Sequence, residues 1–437
     1  MKIFHAYDIR GKYPEYLNTF NAYHLGRAIG AILNGRKRIC VGYDTRKGSE
    51  VIKNYIIEGL EHSGYEVLNL GLQATPLICY YGFKNKIPSI TITASHNPKE
   101  YTGLKIYTKD GLRFNKLEKL EEIFEEKKFI SGNGKTIEVN SEDIERPYIE
   151  YITKNKESNL NIALESYGGP ATFIAKKALE KIGCSVCSIR NKFDSDFFNK
   201  TPEPKEGNLD EIINLMQNDS YDFGVALDGD GDRSLFIDNK TNIIDSSHIC
   251  MIYLNNILKY KKGNVIMAID SSRKLNTMRN ARIHWCRIGT KFLEAMLKEK
   301  NAIFAGEGSY HYYFGRYYPF SDGILSAVIM ADLLHKEKRS LYGIKIELPQ
   351  VHMLRKNFIC KDDEKKDLIL NKILERFKDK KYDTIDGIRI FFDIYDWALI
   401  RKSNTEPLIK LIVEGNSKKE AINRVNCFSE TIEGMIQ

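Results

Sequence analysis

The chain has 437 residues, of which 42% are hydrophobic and 28% charged, with eight cysteines and a net charge of +8. This is an ordinary globular composition that needs no disulfide staples and, at roughly 100–150 residues per domain, leaves room for about three or four domains. The positive balance suits an anionic small molecule, but the lysine-rich stretches 125–128 and 361–366 mix both signs and read as solvated helix faces, so a nucleic-acid-binding module is not expected.

In chain order, residues 1–11 lack the apolar core of a signal peptide. Residues 38–43 read as a buried strand, 49–63 as a helix with Ser49 as its N-cap, and 65–70 as the next strand. Residues 89–93 follow as a strand that runs straight into Ser95. This βαβ order predicts a mostly parallel sheet. The pattern restarts with strand 160–164, helix 170–182 and strand 184–189, and strand 223–227 leads into a cluster of aspartates. It restarts again with strands 264–269 and 284–287, and 302–305 leads into Gly306-Glu307. Each of the three units places a polar loop after an apolar strand, which is where open α/β sheets bind ligands.

The last ~90 residues differ. A charged helical segment over 362–378 precedes strands 387–392, 397–401 and 408–413 without βαβ alternation, which predicts a smaller α+β domain. Candidate boundaries lie near 131–134, 238–239 and 336–343, giving domains 1–138, 139–239, 240–343 and 344–437. No run reaches the ~18 apolar residues of a membrane span, since 324–334 is short and broken by Asp332. The scattered cysteines suit a reducing compartment, so the cytoplasm is the expected location. Cys184 and Cys187 form the one C-x-x-C pair, but they lack the two further ligands of a zinc site.

Four peptides carry chemistry. Thr93-Ala94-Ser95-His96-Asn97-Pro98 displays a hydroxyl at a strand end, where Pro98 stops the strand. Ser95 could be a nucleophile or phosphate carrier, although a Ser-His pair alone reads as a turn. In Asp228-Gly229-Asp230-Gly231-Asp232-Arg233, alternate carboxylates can face one point and the glycines let the backbone curl. Three clustered like charges are costly without a cation, and oxygen ligands suit Mg²⁺ or Ca²⁺. An EF-hand does not fit, because Arg233 and Asn239 stand where its glycine and glutamate belong. In Gly306-Glu307-Gly308-Ser309-Tyr310-His311, the side chains of Glu307, Ser309 and His311 could bind sugar hydroxyls or shuttle a proton. Arg401-Lys402-Ser403-Asn404-Thr405-Glu406-Pro407 offers donors suited to phosphate oxygens. Gly134-Lys135-Thr136 imitates the end of a P-loop, but Phe129 replaces its first glycine and no dinucleotide fingerprint appears.

Together, and with Ala6-Tyr7-Asp8-Ile9-Arg10-Gly11 at the start, these peptides resemble the α-D-phosphohexomutase family, and within it the bacterial phosphomannomutase/phosphoglucomutase branch. The resemblance implies an α/β protein of four domains: three similar mixed α/β sheet units and a small α+β C-terminal domain around a central cleft. It implies a phosphorylated Ser95, whose phosphate joins Asp228, Asp230 and Asp232 in holding Mg²⁺. Lys105 and His311 match groups near the reacting atoms, and Arg10 and Arg233 match active-site arginines. Tyr7, Arg233, Lys291, Glu307, Ser309 and His311 match sugar-phosphate contacts, and Arg401, Ser403, Asn404 and Thr405 match the loop for the non-reacting phosphate. Thr102, Gly308 and Tyr310 depart from the family pattern, which often has Asn, Met and Gly there. Tyr101 favours this branch over the phosphoglucosamine branch.

The implied reaction passes the phosphoryl group of Ser95 to a hexose 1-phosphate, through a bound hexose 1,6-bisphosphate, to give hexose 6-phosphate. The expected partner is a small phosphosugar, with no nucleic acid or membrane, in a monomer or small homo-oligomer. A phosphoglucosamine mutase, or a catalytically inactive phosphosugar-binding protein, is the alternative.

Overall fold

The computed structural model describes residues 3–5, 8–33, 37–403 and 407–436. The chain forms two compact units, Met1–Ile244 with Tyr310–Ile344, and Asp245–Ser309 with Lys345–Gln437. Among the described residues, no helix is long and apolar enough to cross a membrane.

In the first unit, the strands Arg38–Tyr43, Glu66–Leu72, Ser89–Ile92 and Lys135–Glu138 run parallel. Tyr101–Tyr107 adds antiparallel to Ser89–Ile92, and Ile9–Lys12 adds antiparallel to Tyr101–Tyr107. The sheet is therefore mixed. Its core is built from alternate strand residues such as Ile39, Val41, Ile90 and Ile92, packed on Leu25, Ile29, Ile52 and Ile56 of the helices Thr19–Ile32 and Ser49–Glu61. Period-2 and period-3.6 apolar faces meet there, and burying them is the main driving force. Ser49 does not cap its helix as expected. The helix starts behind Gly48 with no side-chain cap, and the Ser49 hydroxyl donates instead to Asp44 Oδ1 at 2.7 Å.

A second sheet runs in the order Ser234–Asp238, Phe223–Leu227, Asn161–Glu165, Ser185–Ser188. Its first pair is an antiparallel hairpin with Leu227 opposite Ser234, so residues 228–233 form the connecting loop. Cys184, just before the edge strand, is buried, and Cys187 on it is exposed.

In the second unit, Gly263–Ala268 pairs in parallel with Ala281–Cys286 and with Phe304–Gly306. The C-terminal sheet is wholly antiparallel, in the order His352–Ile359, Leu408–Gly415, Asp396–Lys402, Ile388–Asp393, Lys381–Asp383. One face packs on the helices Asp363–Arg376 and Lys418–Ile436 through Ile369, Ile373, Phe428 and Ile432. Trp397, Leu399 and Ile412 cluster with Ile269 and Trp285. Glu414 is buried there and is satisfied by Trp397 Nε1, Arg273 N and Ser272 Oγ.

One buried cation holds the loop after Ser89–Ile92. The Arg46 guanidinium donates to the backbone carbonyls of Ser95, Asn97, Pro98 and Tyr101, and its Nε donates to Asp44 Oδ2 at 3.1 Å. Its face lies 4.8 Å from the Phe197 ring centroid. Breaking a buried ion pair costs about 3–5 kcal/mol because its partners are left unpaired. Arg46→Met is therefore expected to lower the unfolding free energy by roughly that amount in urea denaturation followed by circular dichroism. A loss below about 1 kcal/mol would show that the four carbonyls find other donors.

Candidate active site

The first unit gathers Ser95, Lys105, Asp228, Asp230, Asp232, Arg233 and His311. Ser95 follows a buried strand with its backbone in the left-handed region, at φ 53°. Its amide is held by Thr93 Oγ1 at 2.8 Å, and its hydroxyl donates to Asp228 Oδ2 at 2.7 Å. The serine loop and the aspartate loop touch because Gly229 has no side chain: a Cβ there would collide with the carbonyl of Ser95.

The three aspartates are buried, and one oxygen from each lies within 4.8 Å of the others. Asp230 Oδ1 is buried without a hydrogen-bond partner, as expected of a carboxylate oxygen that awaits a cation. An all-oxygen donor set of this charge fits a hard divalent ion such as Mg²⁺. Lys105, at the register position opposite Thr91, puts its ammonium 2.6 Å from Asp230 Oδ2 and also against Asp232 Oδ2. His311 Nε2 lies 3.2 Å from Asp232 Oδ1. Arg233 donates its amide to Asp228 Oδ1 at 3.1 Å and its Nη2 to His96 Nδ1 at 2.9 Å.

The electrostatics follow from this packing. Burial, then Asp232 and Asp230, pushes Asp228 up to about 7. Burial also raises Asp232, but Lys105 and His311 outweigh it and hold that carboxyl well below its usual range. For Lys105 burial favours the neutral amine, yet Asp230 and Asp232 override it and raise its pKa, so it is an ammonium here. Burial, then the charges of Arg233, Arg10 and Lys105, keep His96 well below its usual value. His96 is 3.4 Å from the Ser95 hydroxyl, but its Nδ1 already accepts from Arg233. The shorter contact from Arg233, at 2.9 Å, occupies the nitrogen that faces the serine. Arg10 sits on Ile9–Lys12, paired 3.6 Å from Asp8.

The second unit holds the candidate sugar and phosphate contacts. Glu307 Oε1 accepts from Ser309 Oγ at 2.7 Å, and its Oε2 accepts from Gly289 N at 3.3 Å. Lys291 stands in the first turn of Thr290–Glu299. Arg401 ends a central strand and pairs with Asp386 Oδ2 at 3.1 Å, while Ser403 N donates to Leu408 O at 2.9 Å. Asp386 also accepts from Ile288 N at 3.3 Å, so it links Arg401 to the turn that contacts Glu307. The candidates Tyr7, Asn404 and Thr405 lie outside the described residues. Tyr310 adopts φ 68°, with its ring against the Leu209 and Ile212 cluster.

Sequence reasoning missed four supports: Arg46, Asp44, Asp386 and Thr75. Thr75 donates its hydroxyl to Asp230 Oδ2 at 2.5 Å and its amide to Asp230 O at 3.0 Å. Thr75 meets Asp230 across 155 positions, Asp386 meets Ile288 across 98 and Arg46 meets Ser95 across 49, and no local motif marks them.

Four family models match successive stretches: phosphoglucomutase/phosphomannomutase alpha/beta/alpha domains I (1–131), II (144–241) and III (245–351), and the C-terminal domain (356–426). The phosphoglucosamine mutase of Methanocaldococcus jannaschii is 31% identical, over 92% of this chain and 92% of that protein. The phosphomannomutase/phosphoglucomutase of Pseudomonas syringae is 30% identical, over 96% and 92%. The crystal structure of a phosphoglucomutase/phosphomannomutase family protein from Burkholderia thailandensis superposes with a TM-score of 0.89 at 24% identity, covering 99% of this chain and 97% of that one. With matched models spanning most of its length and the buried Ser95–aspartate–lysine cluster inside them, the chain belongs to the phosphoglucomutase/phosphomannomutase family, a family of isomerases.

Proposed function

We propose that this chain interconverts hexose 1-phosphates and hexose 6-phosphates of glucose and mannose, as a Mg²⁺-dependent phosphomannomutase/phosphoglucomutase. The observation that carries the reading is the Ser95 hydroxyl 2.7 Å from Asp228, beside two further buried carboxylates and Lys105. The proposed domains are 1–138 with the serine loop, 139–239 with the aspartate loop, 240–343 with the sugar loop and 344–437 with the phosphate loop.

In the forward direction, phosphorylated Ser95 meets the free 6-hydroxyl of a hexose 1-phosphate. The O6–P bond forms as the Ser95 Oγ–P bond breaks, and the hydroxyl proton leaves through Lys105 or His311 to the serine oxygen. The resulting 1,6-bisphosphate turns over, Ser95 Oγ takes the C1 phosphoryl group, and hexose 6-phosphate is released. Phosphoryl transfer asks chiefly for positioning and charge stabilisation. Asp228, Asp230 and Asp232 would hold Mg²⁺, which supplies charge neutralisation on the transferred group. Arg10 and Arg233 add fixed positive charge. Glu307, Ser309 and Lys291 bind the sugar, and Arg401, Ser403, Asn404 and Thr405 bind the phosphate that does not react. Contacts common to both substrate orientations would involve hydroxyls away from C2, so glucose and mannose are both accepted.

The second reading, a phosphoglucosamine mutase, is favoured by the name of the Methanocaldococcus relative. A coupled assay with Mg²⁺ and a trace of glucose 1,6-bisphosphate separates them. Glucose 1-phosphate and mannose 1-phosphate are expected to turn over, and Ser95→Ala to fall by about 10³-fold or more, the scale of losing a nucleophile. Turnover of glucosamine 1-phosphate alone would move the chain to the second reading. Full activity in Ser95→Ala would refute both.

Metal binding should depend on pH. Asp228 is held up to about 7, so below that value a proton occupies a carboxyl that the ion needs. Mg²⁺ affinity measured by calorimetry is expected to fall up to about tenfold per pH unit below ~7 and to level off above it. In Asp228→Asn this slope should be lost. Equal affinity at about pH 6 and 8 in the unaltered protein would contradict this charge assignment.

A further inference from the structure

The sugar loop carries a charge from the C-terminal sheet that nothing in its own sequence announces. Gly308 lies between Glu307 and Ser309. A Cβ at Gly308 would collide with the Arg355 guanidinium and would stand 2.6 Å from Asp270 Oδ2. Arg355 comes from His352–Ile359, the edge strand of the C-terminal sheet, and Asp270 follows Gly263–Ala268. The guanidinium donates to Asp270 Oδ2 at 3.3 Å and to the Asp270 carbonyl at 3.2 Å, while Asp270 Oδ1 accepts the Gly308 amide at 3.1 Å. Asp270 is 5% exposed at its side chain and Arg355 42%. The pair thus fills the space beside Gly308 that a larger residue would occupy, and one member stays open to solvent.

We infer that Arg355 is a specificity-determining residue, which sets the net charge of the Glu307–Ser309 loop and so discriminates hexose phosphates from hexosamine phosphates. The inference rests on the proposed function of that loop. Two carboxylates, Glu307 and Asp270, lie near enough that each bears on the other. Burial raises the Asp270 pKa, Arg355 opposes the rise, and Glu307 adds to it. With Arg355 in place the Asp270 charge is paired, and removing Arg355 leaves the surroundings of the loop more negative by up to one charge. A hexose phosphate is neutral on its ring, whereas a 2-amino sugar carries an ammonium when protonated. Specificity is a difference of affinities, and a charge introduced or removed at the loop acts on the ammonium alone. Arg355 therefore weakens binding of the amino sugar relative to the hydroxyl sugar, whichever of the two the unaltered protein prefers.

The test is the ratio of dissociation constants of glucose 6-phosphate and glucosamine 6-phosphate, measured by calorimetry on the full chain near pH 7. Arg355→Gln is expected to shift the ratio toward the amino sugar roughly tenfold. Arg355→Lys should restore it, because the charge returns. Asp270→Asn should shift it in the opposite direction. The shift should shrink as salt is raised, since the charges are partly exposed, a response that lost packing alone would not produce. An unmoved ratio in Arg355→Gln, or the same shift in Arg355→Lys, overturns the inference while leaving the mutase assignment untouched. Binding of neither sugar phosphate to the unaltered protein would overturn both.

Discussion

Three carboxylates buried within 4.8 Å of one another are the constraint around which the first unit is organised. Left alone they would repel, and burial would protonate them. The chain answers with cationic and donor groups: Lys105 from an antiparallel strand of the first sheet, Thr75 from a helix start, His311 from beyond the hairpin, and Arg233 from the end of the aspartate loop itself. The ties of Lys105, Thr75 and His311 join parts that are far apart in sequence. The same attractions that stabilise the aspartate loop therefore fix the serine loop against it, and Gly229 permits the close approach.

Arg46 extends this logic one layer outward. Its donors go to carbonyls of the loop that carries Ser95, so a left-handed serine backbone is held by a buried guanidinium rather than by sheet pairing. Reactive loops at strand ends need such support because their own backbone groups lie outside any ladder. The second unit uses a parallel device. Asp386 connects Arg401 to the turn at Ile288, and that turn contacts Glu307. The loops proposed to hold the phosphate and the sugar are thus linked through one carboxylate.

Much of the fold was legible in the sequence. Apolar runs at 38–43, 223–227 and 408–413 are strands in the structure, and each polar loop after an α/β strand is a candidate-site loop. Other elements left no clear local pattern. Tyr101–Tyr107 contains Thr, Gly and Lys within a largely buried strand, so neither alternation nor an unbroken apolar run marks it. Ile9–Lys12 is short, and it exists as a strand only through its partner Tyr101–Tyr107. Ser49 looked like a helix cap because serine before an apolar-periodic segment usually is one. The carboxylate of Asp44, five residues earlier, competes for its hydroxyl and wins in a buried setting.

By itself the sequence determined the chemistry available: a hydroxyl at a strand end, alternating aspartates in a glycine-rich turn, and two loops rich in hydrogen-bonding and charged side chains. These are local properties, carried by residue type and by spacings of a few positions. Which of those groups share a site was decided only by tertiary structure. Ser95 meets Asp228 across 133 positions, Lys105 meets Asp230 across 125, and Arg355 reaches Asp270 across 85. Such pairings depend on how sheets are ordered and packed, and no spacing along the chain encodes them. The charge each group carries follows from the same packing, because burial and neighbouring ions, not residue type, make Lys105 an ammonium and push Asp228 toward neutrality.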